Sequence, residues 1–210
     1  MFDFDIMQIV AGLPGLVIAM VVHEYAHARV AVALGDFTPR LMGRLTLNPV
    51  AHVDPVGLLC LFLVHFGWAK PVVINPRNFR NARRDDILVS LAGPAANFIT
   101  SFIALAILMV LLHSGSQMSL GLRTVLTLII IYNINFGIFN LIPLPPLDGS
   151  HVLKHLLPGD LAYRYADIER YSVLILIFLM MTPVLGGILI PLQRMILGMF
   201  QTIISLFLIF

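Results

Sequence analysis

Leu16-Val17-Ile18-Ala19-Met20-Val21-Val22-His23-Glu24-Tyr25-Ala26-His27 decides the reading of the chain, because an unbroken apolar run leads straight into three ionisable side chains. The run continues to about Leu34, with Gly35-Asp36 as its stop, so a first membrane span is expected from about Ile6 to Leu34. His23 and His27 are four residues apart. On a helix that spacing puts two imidazoles on one face, where they can share a metal ion. Ionisable groups inside a span are costly and face a protein interior or a water-filled cavity, which makes chance a poor explanation of the set.

Composition supports the bilayer as solvent. Of 210 residues, 59% are hydrophobic and 11% charged, where a soluble domain carries about a quarter charged residues. We expect a single membrane domain over 1–210, with a catalytic core at about 6–157 and a C-terminal helical hairpin at about 170–210. The net charge of +2 comes from basic residues in short segments between apolar runs. Such segments are topology signals, not a nucleic-acid surface. Asp3 and Asp5 stand where a cleavable signal peptide needs positive charge, so the first run should stay as a helix. The lone Cys60 excludes an intrachain disulfide and a cysteine-rich zinc cluster.

The fold class expected is all-α and polytopic, with about five to six transmembrane helices and a re-entrant segment after the first. The apolar stretch at 54–69 is short and flanked by Arg40 and Arg44 before it and Lys70 to Arg84 after it, which favours a re-entrant hairpin over a tilted span. Further spans are expected at about Ile87–Leu112 and Leu122–Ile142. The basic segment before the former should be cytoplasmic, which places His23 and Glu24 toward the cytoplasmic end of the first span. Pro143, Pro145 and Pro146 then break the helix ahead of Asp148-Gly149. A loop bearing Lys154, Arg164 and Arg170 is expected before the final apolar region, 172–210.

Glu24 stands beside the metal in a His-Glu-x-x-His helix. From there it can take a proton from water held at the metal and pass it to a leaving amine, which is the chemistry of peptide hydrolysis. Two histidines do not complete a catalytic zinc site, which takes three protein ligands. Asp148 is the best third candidate, because the proline break can aim it back into the bundle; read alone, Leu147-Asp148-Gly149 would be a turn. His52 can bind metal, orient the site or donate to a developing oxyanion. His65, His113, His151 and His155 read as interfacial or loop residues and receive no role, and Asn97 reads as helix-packing glue.

With Asn140-Leu141-Ile142-Pro143-Leu144-Pro145-Pro146-Leu147-Asp148-Gly149 beside the first motif, the chain resembles the site-2 protease family. The resemblance extends to Leu47-Asn48-Pro49 with His52-Val53-Asp54-Pro55, to Phe66-Gly67-Trp68-Ala69-Lys70-Pro71 and to Ala92-Gly93-Pro94-Ala95-Ala96-Asn97, covering about residues 10–155. It implies one Zn2+ per chain held by His23, His27 and Asp148, with Glu24 catalytic. It also implies a transmembrane protein as substrate and the minimal branch without a PDZ domain, in a bacterial or archaeal cell membrane. Asn135 and Asn140 are implied to hold substrate backbone or to support the site; for Asn135 an interhelical hydrogen bond is an equal reading. His151 departs from the basic residue, such as arginine, expected there. The competing class is a metal-ion or proton transporter using the same His, Glu and Asp cluster.

Overall fold

The computed structural model describes residues 6–57, 60 and 68–208, and its elements of regular structure there are all helical. In chain order come α1 (Ile6–Ala33), α2 (Thr38–Leu41), α3 (Pro49–His52), a 3-10 turn (Pro76–Asn78), α4 (Ala82–His113), α5 (Leu120–Asn140), α6 (Asp148–Leu156), α7 (Gly159–Met181) and α8 (Val184–Leu208). Among the described residues, four helices are long and apolar enough to cross a membrane: Val10–Ala33 of α1, α4, α5 and α8. The chain is therefore a multi-pass integral membrane protein. The segment expected to re-enter, 54–69, lies largely outside the described residues, as does His65. Its two ends are joined, since Val53 and Ala69 form an antiparallel bridge.

Helix ends follow from local chemistry. The Asn81 side chain caps α4 by accepting from the Arg84 N–H, and the Ser119 hydroxyl caps α5 by accepting from the Leu122 N–H. At 32 residues α4 exceeds the roughly 20 that a bilayer needs, so its exposed first turn, with Arg83 and Arg84, extends past the apolar part.

Two expectations are corrected. Residues 159–170 are not a loop but the first half of α7, because Pro158 and Gly159 with Asp160 in the first turn start a helix there. Asp148 is not in irregular chain either: it opens the nine-residue helix α6.

The centre of the fold is the mutual packing of α1, α4 and α5. Lipid offers no hydrophobic force between helices, so close packing and interhelical hydrogen bonds must hold them. Gly15 supplies one close approach: a Cβ there would lie 2.9 Å from the Leu128 carbonyl carbon on α5. Below it, Asn97 on α4 donates to the Ala19 carbonyl on α1 and to the Asn133 side chain on α5, at 2.8 and 3.0 Å. α8 packs against α4 and α5, where Phe200 and Ile204 meet Ala104, Leu105 and Ile130. α6 packs on α4, and α7 touches α6 and α8.

Candidate metal centre

The bundle brings three of the expected donors together. His23 and His27 project from α1, and Asp148 reaches them from the start of α6. The His23 and His27 Nε2 atoms are 2.9 Å apart, and Asp148 Oδ2 stands 3.1 Å from the first and 3.4 Å from the second. Both histidines are buried, and Asp148 Oδ2 has no hydrogen-bond partner.

The protonation of this triangle can be deduced from its surroundings. Asn133 donates its amide to the Ile129 carbonyl, which turns its Oδ1 toward Asn97. Asn97 spends its amide hydrogens on Asn133 and Ala19, so its Oδ1 must face His23 Nδ1, 2.8 Å away, as an acceptor. His23 therefore carries its proton on Nδ1. His27 Nδ1 lies 2.7 Å from the Val89 carbonyl, which can only accept, so His27 carries its proton there too. Both Nε2 atoms then present lone pairs to each other and to a carboxylate oxygen. Three acceptors packed this closely repel unless a cation lies among them.

The fit to zinc is good. Tetrahedral zinc with bonds of about 2.0–2.1 Å separates neighbouring donors by about 3.3 Å, against the 2.9, 3.1 and 3.4 Å found here. Hydrogen bonding of the distal imidazole nitrogens to an amide oxygen and a carbonyl is the usual means of fixing ring orientation in a metal-ligating histidine. Gly93 of α4 completes the cradle. A Cβ there would come within 2.5 Å of His23 Cε1 and His27 Nε2, so any larger residue would displace the rings.

Glu24 is buried beside the triangle, and its Oε2 accepts the Val72 N–H at 2.8 Å. Two cavities meet here. One, of about 400 Å³, has Leu16, Met20, Phe136, Phe139 and Leu176 in its walls. The other, of about 350 Å³, has Asp86, Ser90, Asp148 and His151. His23, Glu24 and Asn140 line both.

The remaining candidates separate. Asn140, at the end of α5, faces both cavities and donates to the Phe136 carbonyl at 3.0 Å. Asn135 lines neither, and its Oδ1 is buried without a partner. His52 is not among the metal donors. It is fully buried at the end of α3, where its Nε2 donates to the Thr46 carbonyl at 2.7 Å and its own carbonyl accepts the Lys70 N–H.

The sequence reading missed several residues. Asn97 is more than packing glue, because it orients His23. His151 and His155 are four residues apart on α6 and neither isolated nor in a loop: both contact Asp86. The available signal was the spacing of Gly93 and Asn97 on one helical face, inside a segment already singled out.

A bundle of apolar helices closing on a His-Glu-x-x-His motif and a distant aspartate defines a membrane-embedded metallopeptidase. More particularly, the chain belongs to peptidase family M50, whose family model matches residues 109–183. It is 40% identical over 188 residues to "Putative zinc metalloprotease YwhC" of Bacillus subtilis, covering 85% of each chain. It is 30% identical over 186 residues to "Putative zinc metalloprotease Rip2" of Mycolicibacterium smegmatis, covering 83% of this chain and 68% of the relative. The Mycobacterium tuberculosis protein of the same name is 29% identical over 184 residues. No solved structure matches the chain. Membership of the family makes it a zinc metalloprotease.

Proposed function

We propose that the protein hydrolyses peptide bonds within or near transmembrane segments of other membrane proteins, using one zinc ion held by His23, His27 and Asp148. The observation that carries this reading is the place of the triangle and Glu24 at the junction of an apolar and a polar cavity. A substrate span arrives from lipid and water does not, so a hydrolase of such substrates needs access to both at one point. Zinc, when bound, supplies Lewis-acid polarisation of the carbonyl and acidifies water.

The chain's own residues do the rest. Glu24 is anchored through Oε2 by the Val72 N–H, which leaves Oε1 as the oxygen to accept a proton and return it to the leaving nitrogen. A transmembrane helix must unwind before its bonds can be cut. Asn140, open to both cavities, offers donor and acceptor atoms to the freed backbone, and the bridge between Val53 and Ala69, both in the wall of the apolar cavity, offers backbone for strand addition. His52 holds Lys70 beside that bridge through its own carbonyl and holds Thr46 through Nε2. Nothing in the geometry assigns Asn135 to substrate. The core at 6–157 and the paired α7 and α8 form one domain, and relatives in bacteria point to the bacterial cell membrane.

The test is cleavage of a model single-span substrate by purified protein in detergent. Wild type should cut, and Glu24→Gln should keep its zinc while losing about 10²–10⁴-fold in rate. Cutting by Glu24→Gln at the wild-type rate would refute the assignment, and a zinc-loaded wild type that cuts nothing in detergent but moves ions across reconstituted vesicles would restore the transporter reading.

A further inference from the structure

One face of α4 supports the whole donor triangle. Asp86, Val89, Gly93 and Asn97 are spaced three, four and four residues apart, which is one helical stripe. Asn97 fixes the His23 ring, the Val89 carbonyl fixes the His27 ring, and Gly93 makes room for both. Asp148 belongs to a different helix and needs its own attachment to that stripe.

We propose that Asp86 is the positioning residue for Asp148, acting through His155 and His151; the inference rests on Asp148 being a metal ligand and names what holds it there. His151 and His155 lie three and seven residues after Asp148, on one face of α6. His155 Nε2 stands 2.7 Å from Asp86 Oδ2, and His151 Nδ1 stands 3.4 Å from the same oxygen. The face that aims Asp148 at the imidazoles is thus tied to α4 next to the Val89 anchor of His27.

α6 needs such a tie. Nine residues are too few for a helix to persist without tertiary partners, and α6 follows a non-helical stretch, 141–147, with three prolines. Among the described residues, Asp148 Oδ2, the oxygen that faces the imidazoles, has no hydrogen-bond partner to hold it. Asp86 is itself buried at the wall of the polar cavity, where a carboxylate requires partners, and the two α6 histidines supply them.

The experiment measures zinc affinity of the full chain in detergent by chelator competition, together with the visible absorption of the cobalt-substituted protein, which reports the ligand geometry. The variants are Asp86→Asn, His155→Gln and the exchanged pair Asp86→His with His155→Asp. Each single variant should weaken zinc binding by about 10–100-fold and alter the cobalt bands, with the metal-free protein losing less stability than the zinc-loaded one. The exchanged pair should recover both. If Asp86→Asn does not fold, His155→Gln, at a side chain 26% exposed, carries the test. Wild-type affinity and bands in the single variants would overturn the proposal, as would an equal loss of stability in the metal-free protein or a second zinc bound at Asp86. Retention of zinc by Asp148→Asn would instead refute the ligand reading beneath it.

Discussion

The molecule contains two sets of the same composition: histidines four residues apart on one helix with an aspartate from another. His23, His27 and Asp148 make the first; His151, His155 and Asp86 make the second. In the first, both Nδ1 atoms are taken by Asn97 and Val89, so the Nε2 lone pairs converge on a third acceptor. In the second, neither distal nitrogen has a protein acceptor among the described residues. The imidazole nitrogens turn to Asp86 as direct hydrogen-bond partners. Exposure differs too, with the His23 side chain 4% exposed and that of His151 54%. The difference teaches that the spacing only makes a metal site possible. The groups behind the imidazoles decide whether lone pairs or protons face the centre.

The largest effects should come from breaking the first set directly. His27→Ala should reduce bound zinc from one per chain to a trace, whereas His151→Ala should leave one zinc per chain at saturating metal; elemental analysis distinguishes the two. Equal losses would dissolve the distinction between the sets. Gly93→Ala comes next. The added methyl falls on both imidazoles, so zinc content should drop, and thermal unfolding should show a loss of about 1–3 kcal/mol, the usual range for overpacking.

Asn97→Leu sharpens the comparison without touching a ligand. It removes the acceptor that fixes the His23 tautomer, and metal affinity should fall about 10–100-fold by chelator competition. An unchanged affinity would mean that the ring needs no partner behind it.

The smallest expected effect lies at Asp36, outside both sets. Burial works against its charge, but donors from Thr38, Asn75 and Asn78 outweigh that and hold its carboxyl below the usual range. With the folded pKa below the unfolded one, its stabilisation is present at neutral pH and is lost as pH falls through the folded value. Asp36→Asn should therefore unfold about 1 kcal/mol more easily at neutral pH, with the gap to wild type closing in acid. A gap that stays constant down to low pH would show that the charge is not what counts there.

Much of this was legible in the sequence. The first span, the proline break and the shared face of His23 and His27 could be read because each is written locally, in hydropathy, in helix-breaking residues or in a four-residue spacing, whereas Asp148 alone reads as a turn and joins the set only beside that motif. What escaped depends on which helix lies opposite. Asn97 reads as packing glue until α4 is placed against α1, and the pairing of Asp86 with His155 spans 69 residues of sequence. The first half of α7 was missed because its charges at Asp160, Arg164, Asp167, Glu169 and Arg170 look like a loop between spans, whereas its apolar second half packs Leu176, Leu179 and Met180 against Phe139, Ile142, Leu144 and Leu147.

The most direct test of the account is the zinc content of purified wild type beside Asp148→Asn, with imidazole ligation counted by X-ray absorption at the zinc edge. The account predicts one zinc with two imidazoles in wild type and little zinc in Asp148→Asn. Wild-type zinc content in Asp148→Asn, or a zinc in wild type carrying other than two imidazoles, would contradict it.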